Sequence, residues 1–250
     1  MLTTFDIASL PAEFALAWAV ETRGASRPSL VVLGDPLTAV PAPPRDDRIL
    51  LWLGTLLPET DLSAFAALAG LSEAEREQTS AFYWRRDAIA YAAAHGALRL
   101  ILGAMLGCPP GDVQFGKGPY DKPFLCPPAG ASGGSIQFNI SHSKGLAAVA
   151  LSCQAIGIDI EQVAWREDLL DVARLSFAEE PVATLVRASG ERRTDLFFRY
   201  WTLGEAFIKA TGVGISQGLD TFTFTPDGQP RLTRVTPGWG PADRWHFGVR

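Results

Sequence analysis

The sequence is poor in the residues that build disulfide scaffolds and zinc clusters. It has three cysteines and three histidines among 250 residues. The cysteines, at 108, 126 and 153, are odd in number and fit no metal-binding spacing. We therefore expect free thiols in a reducing compartment, and neither a disulfide framework nor a zinc site.

Long hydrophobic runs and an excess of basic charge are also missing. The longest strongly apolar run, 49–57, is too short to span a bilayer. The first twenty residues contain Asp6 and Glu13 and no basic start, so they do not resemble a signal peptide. The formal net charge of −5 gives no basic face of the kind that nucleic-acid binding requires. We expect a cytoplasmic protein that binds neither a membrane nor nucleic acid.

Helical and strand-like patterns are intermixed without strict alternation. One helical region begins at Ser72, with Glu75 at capping-box spacing, and continues with some break to 106; a second runs over 191–210. Short strands are predicted over 30–33, 49–54, 146–152, 156–160, 221–225, 231–235 and 244–249. Proline and glycine mark loops over 35–47 and 126–135. This pattern predicts an α+β fold rather than a doubly wound sheet.

Two carboxylates stand two residues apart in the hexapeptide Ile-Gly-Ile-Asp-Ile-Glu, 156–161. On a strand, Asp159 and Glu161 share one face, and the isoleucines face the core. Adjacent carboxylates repel each other unless a proton or a cation lies between them, and Mg²⁺ prefers such oxygen ligands. The alternative is an edge strand with a solvated acidic face.

A second polar group stands inside an aromatic stretch, 197–209. Glu205 and Lys209 are four residues apart and share a helix face with Trp201. Such a pair is usually a surface salt bridge worth a few tenths of a kcal/mol. The surrounding aromatic residues favour a partly buried pair instead.

Two further motifs are weak when taken alone. Residues 138–143, Phe-Asn-Ile-Ser-His-Ser, place Ser141 and His142 at a predicted loop–strand junction, where anions are often held. Neighbouring strand residues point to opposite faces, so a serine–histidine catalytic pair is not expected there, and a capped turn with a structural histidine is the alternative. Lys122 before Pro123 is held extended and can present a fixed charge to a phosphate, although most such segments are only turns.

In this order and spacing, the four motifs resemble one family. It is the 4'-phosphopantetheinyl transferase superfamily, of the surfactin-synthetase-activating type, in which two similar halves lie in one chain. The resemblance covers roughly residues 70–225 and is carried by Lys122-Pro123, then 138–143, then 156–161, then the Trp-x-x-x-Glu-Ala-x-x-Lys segment 201–209. Each motif is weak, but the ordered set is specific.

The resemblance implies an activity and its metal site. Such enzymes transfer the phosphopantetheine arm of coenzyme A to a serine of an acyl or peptidyl carrier protein and release 3',5'-ADP. Asp159 and Glu161 would ligate Mg²⁺, and Glu205 would complete the site or act as general base. Lys209 would stabilise or protonate the leaving phosphate, so that Asp159, Glu205 and Lys209 form the catalytic set.

The resemblance also implies where coenzyme A binds. Lys122 with Pro123, Ser141 and His142 would hold its phosphates. Positions where the family places basic residues against the 3'-phosphate read Glu75, Gln78 and Ala90 here, which leaves Arg85 and Arg86 as replacements. The family commonly works as a monomer, so we expect a monomer.

Two residues depart from the family pattern. Gly204 stands where the family has a lysine, and Asp121 stands where it has the glycine of a Gly-Lys-Pro turn. We expect Gly204→Lys to be tolerated, because it restores the family's residue. A competing register, Gly116-Lys117-Gly118-Pro119, lies just upstream but fits the spacing less well.

The expected architecture is two packed α+β halves, 1–152 and 153–250, related by approximate symmetry and with the active site between them. The first half would hold phosphate and the second would hold the metal. One alternative is a degenerate homologue that binds coenzyme A or a carrier protein without transfer. Another is an unrelated α+β protein with coincidental motifs, which would place Asp159, Glu161 and Glu205 far apart.

Overall fold

A computed structural model describes residues 1–22, 27–38, 41–126, 136–214, 218–225, 227–235 and 238–250. Its strands are β1 Leu2–Thr4, β2 Phe14–Glu21, β3 Ser29–Val32, β4 Arg48–Leu56, β5 Phe115–Lys117, β6 Pro123–Leu125, β7 Gln137–Ser143, β8 Leu146–Ser152, β9 Ile156–Gln162, β10 Phe222–Phe224, β11 Leu232–Val235 and β12 Trp245–Val249. Its helices are α1 Leu62–Leu68, α2 Glu73–Ala81, α3 Arg85–Leu106, α4 Leu169–Ser176, α5 Glu179–Arg187 and α6 Gly190–Thr211. The predicted α+β class is confirmed.

Two sheets lie face to face between the two long helices α3 and α6, because strand side chains alternate between the two faces of each sheet. The larger sheet has the order β1-β4-β8-β7, with β3 also paired to β4, and the smaller has the order β12-β2-β9. One face of the larger sheet packs on α1 and α3, and its other face packs on the smaller sheet. The smaller sheet turns its second face, including Ala15, Ala17 and Ala19, to α6. The result is four layers, helix–sheet–sheet–helix.

The two long helices are alike in length and in how they end. Both α3 and α6 have 22 residues, and each is closed by a left-handed glycine, Gly107 or Gly212. The helical region predicted from Ser72 is broken between α2 and α3, and the capping box of Ser72 and Glu75 is present in full. These features support the expected arrangement in two similar halves.

Helix α3 is the one helix of the described residues that is long and apolar enough to raise the question of a membrane span. By length and composition alone it could cross a membrane, but 72% of its most apolar window is buried in the fold. It is the central helix of the hydrophobic core that lies on one face of the larger sheet, where it packs with Trp52, Val149 and Leu151.

Strand β2 departs from a division of the chain at residue 152. It belongs to the first 152 residues, yet it is the middle strand of the smaller sheet, between β9 and β12. The boundary between residues 152 and 153 does fall between β8 and β9, and it stays a prediction. The alanine face of β2 fits against α6, which explains why this strand lies with the second half.

The segment 138–143 lies in a different structural setting from the one that the sequence predicts. Residues 138–143 were expected at a loop–strand junction, but they lie within β7, which pairs with β8 through a two-residue turn at Lys144 and Gly145. The turn has positive φ at both positions, as tight hairpins require. Of the predicted loop 126–135, residues 127–135 lie outside the described residues.

Candidate functional site

The site begins with an unusually close approach of helix α6 to strand β9. Gly157 lies against the helix backbone, and a Cβ there would overlap Ala206 O and Ala210 N. Any side chain at 157 would push the helix away from the strand. The glycine of the hexapeptide 156–161 therefore brings Asp159 within reach of the side chains on α6.

Asp159, which is buried, and Lys209, which is partly exposed, form an ion pair at the centre of the site. Lys209 Nζ donates to Asp159 Oδ1 at 2.6 Å and to Ser141 Oγ at 3.2 Å, and Ser141 Oγ donates to the same carboxylate oxygen at 3.0 Å. Asp159 is 3% exposed, and its Oδ2 has no hydrogen-bond partner among the described residues. One oxygen is fully used, and the other is free for a ligand.

Two more carboxylates lie within electrostatic reach of this pair. Burial, and then the charge of Asp159, raise the pKa of Glu161, and Glu205 raises it further. Burial and the charge of Asp159 also raise the pKa of Glu205, whereas the charge of Lys209 lowers it. Three coupled carboxylates around one lysine contradict the reading as coincidental motifs, which required them to be far apart.

The donor chemistry of this cluster fits a hard cation, although the cluster does not form a closed metal site as it stands. Over the described ranges, no group of three or more histidine, cysteine, aspartate or glutamate side chains is arranged to hold a metal ion. Lys209 supplies the positive charge on Asp159 Oδ1 instead. Asp159 Oδ2 has no partner in the described structure, and the pKa values of Glu161 and Glu205 are raised. A divalent cation with oxygen ligands would bond to the free oxygen and would favour the charged forms of the two glutamates.

Strand β7 supplies the opposite wall of the site through side chains that the sequence analysis did not single out. Ser143 Oγ donates to Glu161 Oε2 at 3.0 Å, and Asn139 Oδ1 accepts the backbone N–H of Ile158 at 2.8 Å. Their spacing of two residues from Ser141 was the available signal. It indicates a shared strand face only once 138–143 is known to be a strand.

His142 points away from Ser141, as strand alternation predicts. Its ring packs edge-on against Phe82 and Tyr91, on the α3 side of the sheet. Burial, and then the charges of His95 and Lys209, lower the pKa of His142 to about 4. The imidazole is therefore neutral near pH 7. Ser141 and His142 cannot form a catalytic pair, because their side chains point to opposite faces of the sheet.

Lys122 is turned into the second half and away from solvent. Its Nζ donates to Ile156 O at 3.2 Å and to Ala210 O at 3.0 Å, so it caps the carboxyl end of α6. Burial lowers the pKa of Lys122 to about 8. Pro123 follows as the exposed first residue of β6. A phosphate contact by Lys122 stays a prediction, and it would require these carbonyl bonds to be exchanged.

The two arginines predicted for phosphate binding differ in freedom. Arg85 donates to Pro58 O and Thr60 O, at 3.0 Å and 2.8 Å, and so fastens the loop before α1. Arg86 is about half exposed, lies over the Trp84 ring at 5.6 Å from its centroid, and approaches Asp87 at 3.8 Å. Arg86 is the more available cation of the two.

The two departures from the family pattern have structural explanations. Gly204 is buried, and a Cβ there would overlap the end of the Leu219 side chain and approach Phe222. The overlapping atom is the end of a flexible side chain, so the tolerance of Gly204→Lys stays a prediction, and it would require Leu219 to move. Asp121 has φ of 60°, the conformation that a glycine adopts freely, and its exposed carboxylate lies 3.5 Å from Lys117.

The fold and the site together define an α+β protein of two packed halves, with a cluster of acidic residues and a lysine where the halves meet. Two family models match consecutive parts of this chain. Residues 59–154 match the N-terminal model of 4'-phosphopantetheinyl transferase, and residues 155–249 match the 4'-phosphopantetheinyl transferase superfamily model.

Individual relatives agree with these matches. The chain is 35% identical over 208 residues to the 4'-phosphopantetheinyl transferase HetI of Nostoc sp., covering 81% of this chain and 86% of the relative. It is 31% identical over 161 residues to the 4'-phosphopantetheinyl transferase Sfp of Bacillus subtilis, covering 64% and 69% respectively. The 4'-phosphopantetheinyl transferase gsp of Aneurinibacillus migulanus is 30% identical over 66% of each chain. The chain belongs to the 4'-phosphopantetheinyl transferase superfamily, in its two-halves-in-one-chain type.

Proposed function

We propose that this protein transfers the 4'-phosphopantetheine arm of coenzyme A to a serine hydroxyl of an acyl or peptidyl carrier protein. The serine oxygen forms a bond to the phosphorus next to the pantetheine arm. The phosphoanhydride bond breaks, and 3',5'-ADP leaves with the electron pair. The observation that supports this most is the cluster of Asp159, Glu161, Glu205 and Lys209 at the meeting of the two halves in a member of this family.

Glu205 suits the role of general base toward the carrier serine. Burial and the neighbouring Asp159 raise its pKa, which brings the carboxylate closer to the basicity that proton abstraction near pH 7 requires. The proton leaves the serine as the oxygen–phosphorus bond forms. A raised pKa is shared by Glu161, but the contact of that carboxylate with Ser143 makes it less free to accept a proton.

Lys209 suits the role of cation for the leaving phosphate. Its ammonium is held at the site by Asp159 and Ser141, and about three-tenths of its side chain is exposed. It can therefore face a ligand without leaving the ion pair. A charge already fixed beside the breaking bond lowers the barrier of phosphoryl transfer by electrostatics.

Asp159, Glu161 and Glu205 are the residues that would hold Mg²⁺. When bound, the ion would supply charge neutralisation on the diphosphate of coenzyme A. The protein's own contribution is to keep three carboxylates close and partly desolvated. Phosphate contacts by Lys122, Ser141, His142, Arg85 and Arg86 are further parts of the proposal.

Intact-protein mass spectrometry tests the reaction directly. Several apo carrier proteins would be incubated with this protein, coenzyme A and Mg²⁺, with EDTA in a parallel series. We expect a mass gain of one phosphopantetheine arm that EDTA prevents. Binding of coenzyme A without any mass gain would instead identify a degenerate homologue, the alternative motivated by Gly204 and Asp121.

A further inference from the structure

Strand β9 carries two of the three site carboxylates, Asp159 and Glu161, and is an edge strand of the described part of its sheet. Along its free edge, three backbone N–H groups point toward β7. They are bonded by side chains instead of by a backbone ladder: Ile158 N to Asn139 Oδ1 at 2.8 Å, Ile160 N to Ser141 Oγ at 3.2 Å, and Gln162 N to Ser143 Oγ at 3.4 Å. We call Asn139, Ser141 and Ser143 the seam.

The residue types along the seam match what each position must do. Ser141 and Ser143 accept an N–H from β9 and also donate to a carboxylate, Asp159 at 3.0 Å and Glu161 at 3.0 Å. A hydroxyl can do both at once, because it has one donor and two acceptor positions. Asn139 binds the backbone of Ile158, which has no carboxylate to orient, and in the described structure its side-chain carbonyl oxygen accepts that N–H.

The seam therefore fixes the strand and its carboxylates with the same groups. Each serine binds the backbone of β9 one residue beyond the carboxylate to which it donates. A shift of β9 along β7 would break the backbone bond and the carboxylate bond together. The first half thus sets the position of acidic groups that belong to the second half.

We propose that Ser143 and Asn139 are positioning residues for the transfer reaction, acting through Glu161 and through the register of β9. Neither has been placed in contact with a substrate. The proposal rests on the proposed function for its kinetic part, and on geometry alone for its structural part. Glu161 depends most on the seam, because its neighbours Asp159 and Glu205 repel it and Ser143 is the donor that holds it.

The test compares Ser143→Ala with Ser143→Thr, which keeps the hydroxyl on a β-branched side chain suited to a strand. Ser80→Ala is the matched control, since the Ser80 hydroxyl bonds only within α2, to Arg76 O. For Ser143→Ala we expect kcat to fall roughly tenfold while KM for coenzyme A changes less than about twofold. Ser143→Thr should restore most of kcat, and Ser80→Ala should match the wild type.

Amide hydrogen exchange provides a readout that needs no substrate or metal. The Gln162 amide should exchange faster in Ser143→Ala than in the wild type, and Ser143→Thr should restore protection. If Ser143→Ala does not fold, Asn139→Leu gives the equivalent measurement at the Ile158 amide. That variant removes the acceptor without touching a carboxylate.

Several results would overturn the proposal. One is an unchanged kcat in Ser143→Ala; another is a rise in KM alone, which would show that Ser143 binds substrate. Unchanged exchange at Gln162 would also contradict it. The mass assay on the wild type is read first: if it shows no transfer, the proposed function fails, and the exchange measurements still decide whether the seam holds β9.

Discussion

Among the described residues, each half of the molecule has a partly buried ion pair, and the two pairs differ in how completely their polar atoms are hydrogen-bonded. In the first half, Glu75 receives Arg99 Nε at 2.8 Å, His95 Nδ1 lies at 3.2 Å, and the guanidinium also donates to Val113 O at 2.9 Å. Burial would raise the pKa of Glu75, but these hydrogen bonds hold it at about 2. In the second half, Asp159 is paired with Lys209 and keeps one buried oxygen without a partner in the described structure.

The contrast is between a charge pair whose hydrogen-bonding groups are satisfied and one that keeps an unused carboxylate oxygen. A buried charge is costly unless its hydrogen-bonding groups are satisfied. The Glu75–Arg99 pair meets that condition and links α2, α3 and the turn after α3. The Asp159–Lys209 pair leaves capacity unused, and its neighbours Glu161 and Glu205 have raised pKa values. Incomplete bonding and raised pKa values are typical of sites that bind a ligand.

The largest expected effect is on activity, from Asp159→Asn. The amide keeps the size of the side chain but removes the charge that pairs with Lys209 and that would ligate Mg²⁺. We expect transfer to fall by about a thousandfold or more. The unfolding free energy should change by less than about 2 kcal/mol, because the Lys209 ammonium left without its partner is about three-tenths exposed and stays partly hydrated. The mass assay and urea denaturation measure the two quantities. Near-normal transfer would remove Asp159 from the site.

Arg99→Met should give the opposite result. It removes one member of the saturated pair and leaves the Glu75 carboxylate in a partly buried place with His95 as its remaining side-chain partner. We expect a loss of about 3–5 kcal/mol in unfolding free energy, measured by urea denaturation. The double variant Glu75→Gln with Arg99→Met should recover part of that loss. A large fall in kcat with normal stability would show that the first pair is also functional.

His142 is affected by a charge near each ion pair, that of His95 and that of Lys209, and it should make the unfolding free energy depend on pH. Its pKa is lowered to about 4 from an ordinary value of 6.5, so the unfolded chain binds more protons between these values. The stability associated with the neutral ring is present above pH 6.5 and is lost as pH falls toward 4. In His142→Phe the fall in unfolding free energy over this window should be smaller, by up to about 3 kcal/mol. An equal slope in both proteins would contradict the shift.

Asp121 belongs to neither pair and should give the smallest effect. Its positive φ favours glycine, and its contact with Lys117 is exposed and worth little. Asp121→Gly should raise the unfolding free energy by about 0.5–1 kcal/mol. Urea denaturation measures this change, with Asp112→Gly as the control, because Asp112 ends the short 3₁₀ helix Pro110–Asp112 and does not have a positive φ. Destabilisation would show that the contact with Lys117 matters more than the backbone strain.

Local signals in the sequence predicted the helices α2, α3 and α6 and the strands β3, β4 and β8 to β12, whereas the other helices and strands of the described residues were not predicted. Ser72 with Glu75 marked the start of α2, and Gly107 and Gly212 marked the ends of the long helices, because caps are set by neighbouring residues. Strand β2 was missed. Its nearly continuous apolar run reads equally as a strand or a buried helix, and its partners β9 and β12 lie far away in sequence.

The sequence predicted that four side chains of the candidate site lie together, but it did not predict their hydrogen bonds, and their roles stay predictions. Asp159, Glu161, Glu205 and Lys209 do come together, as the motif spacing and the family resemblance implied. The sequence did not show that Lys122 bonds to the end of α6, or that Asn139 and Ser143 bond to β9 and its carboxylate. Those partners lie on other elements, so only the folded chain brings them into contact.

The placement of β2 has a consequence for how the chain assembles. Glu21 pairs with Trp245 and Val20 with Ile156, so the smaller sheet joins strands from the beginning, the middle and the far end of the sequence. During synthesis, the earliest of these strands must wait for the latest, and such distant pairings form slowly. A fragment made of residues 153–250 alone would lack its central strand. We expect the two halves, although each matches its own family model, to fold as one cooperative unit.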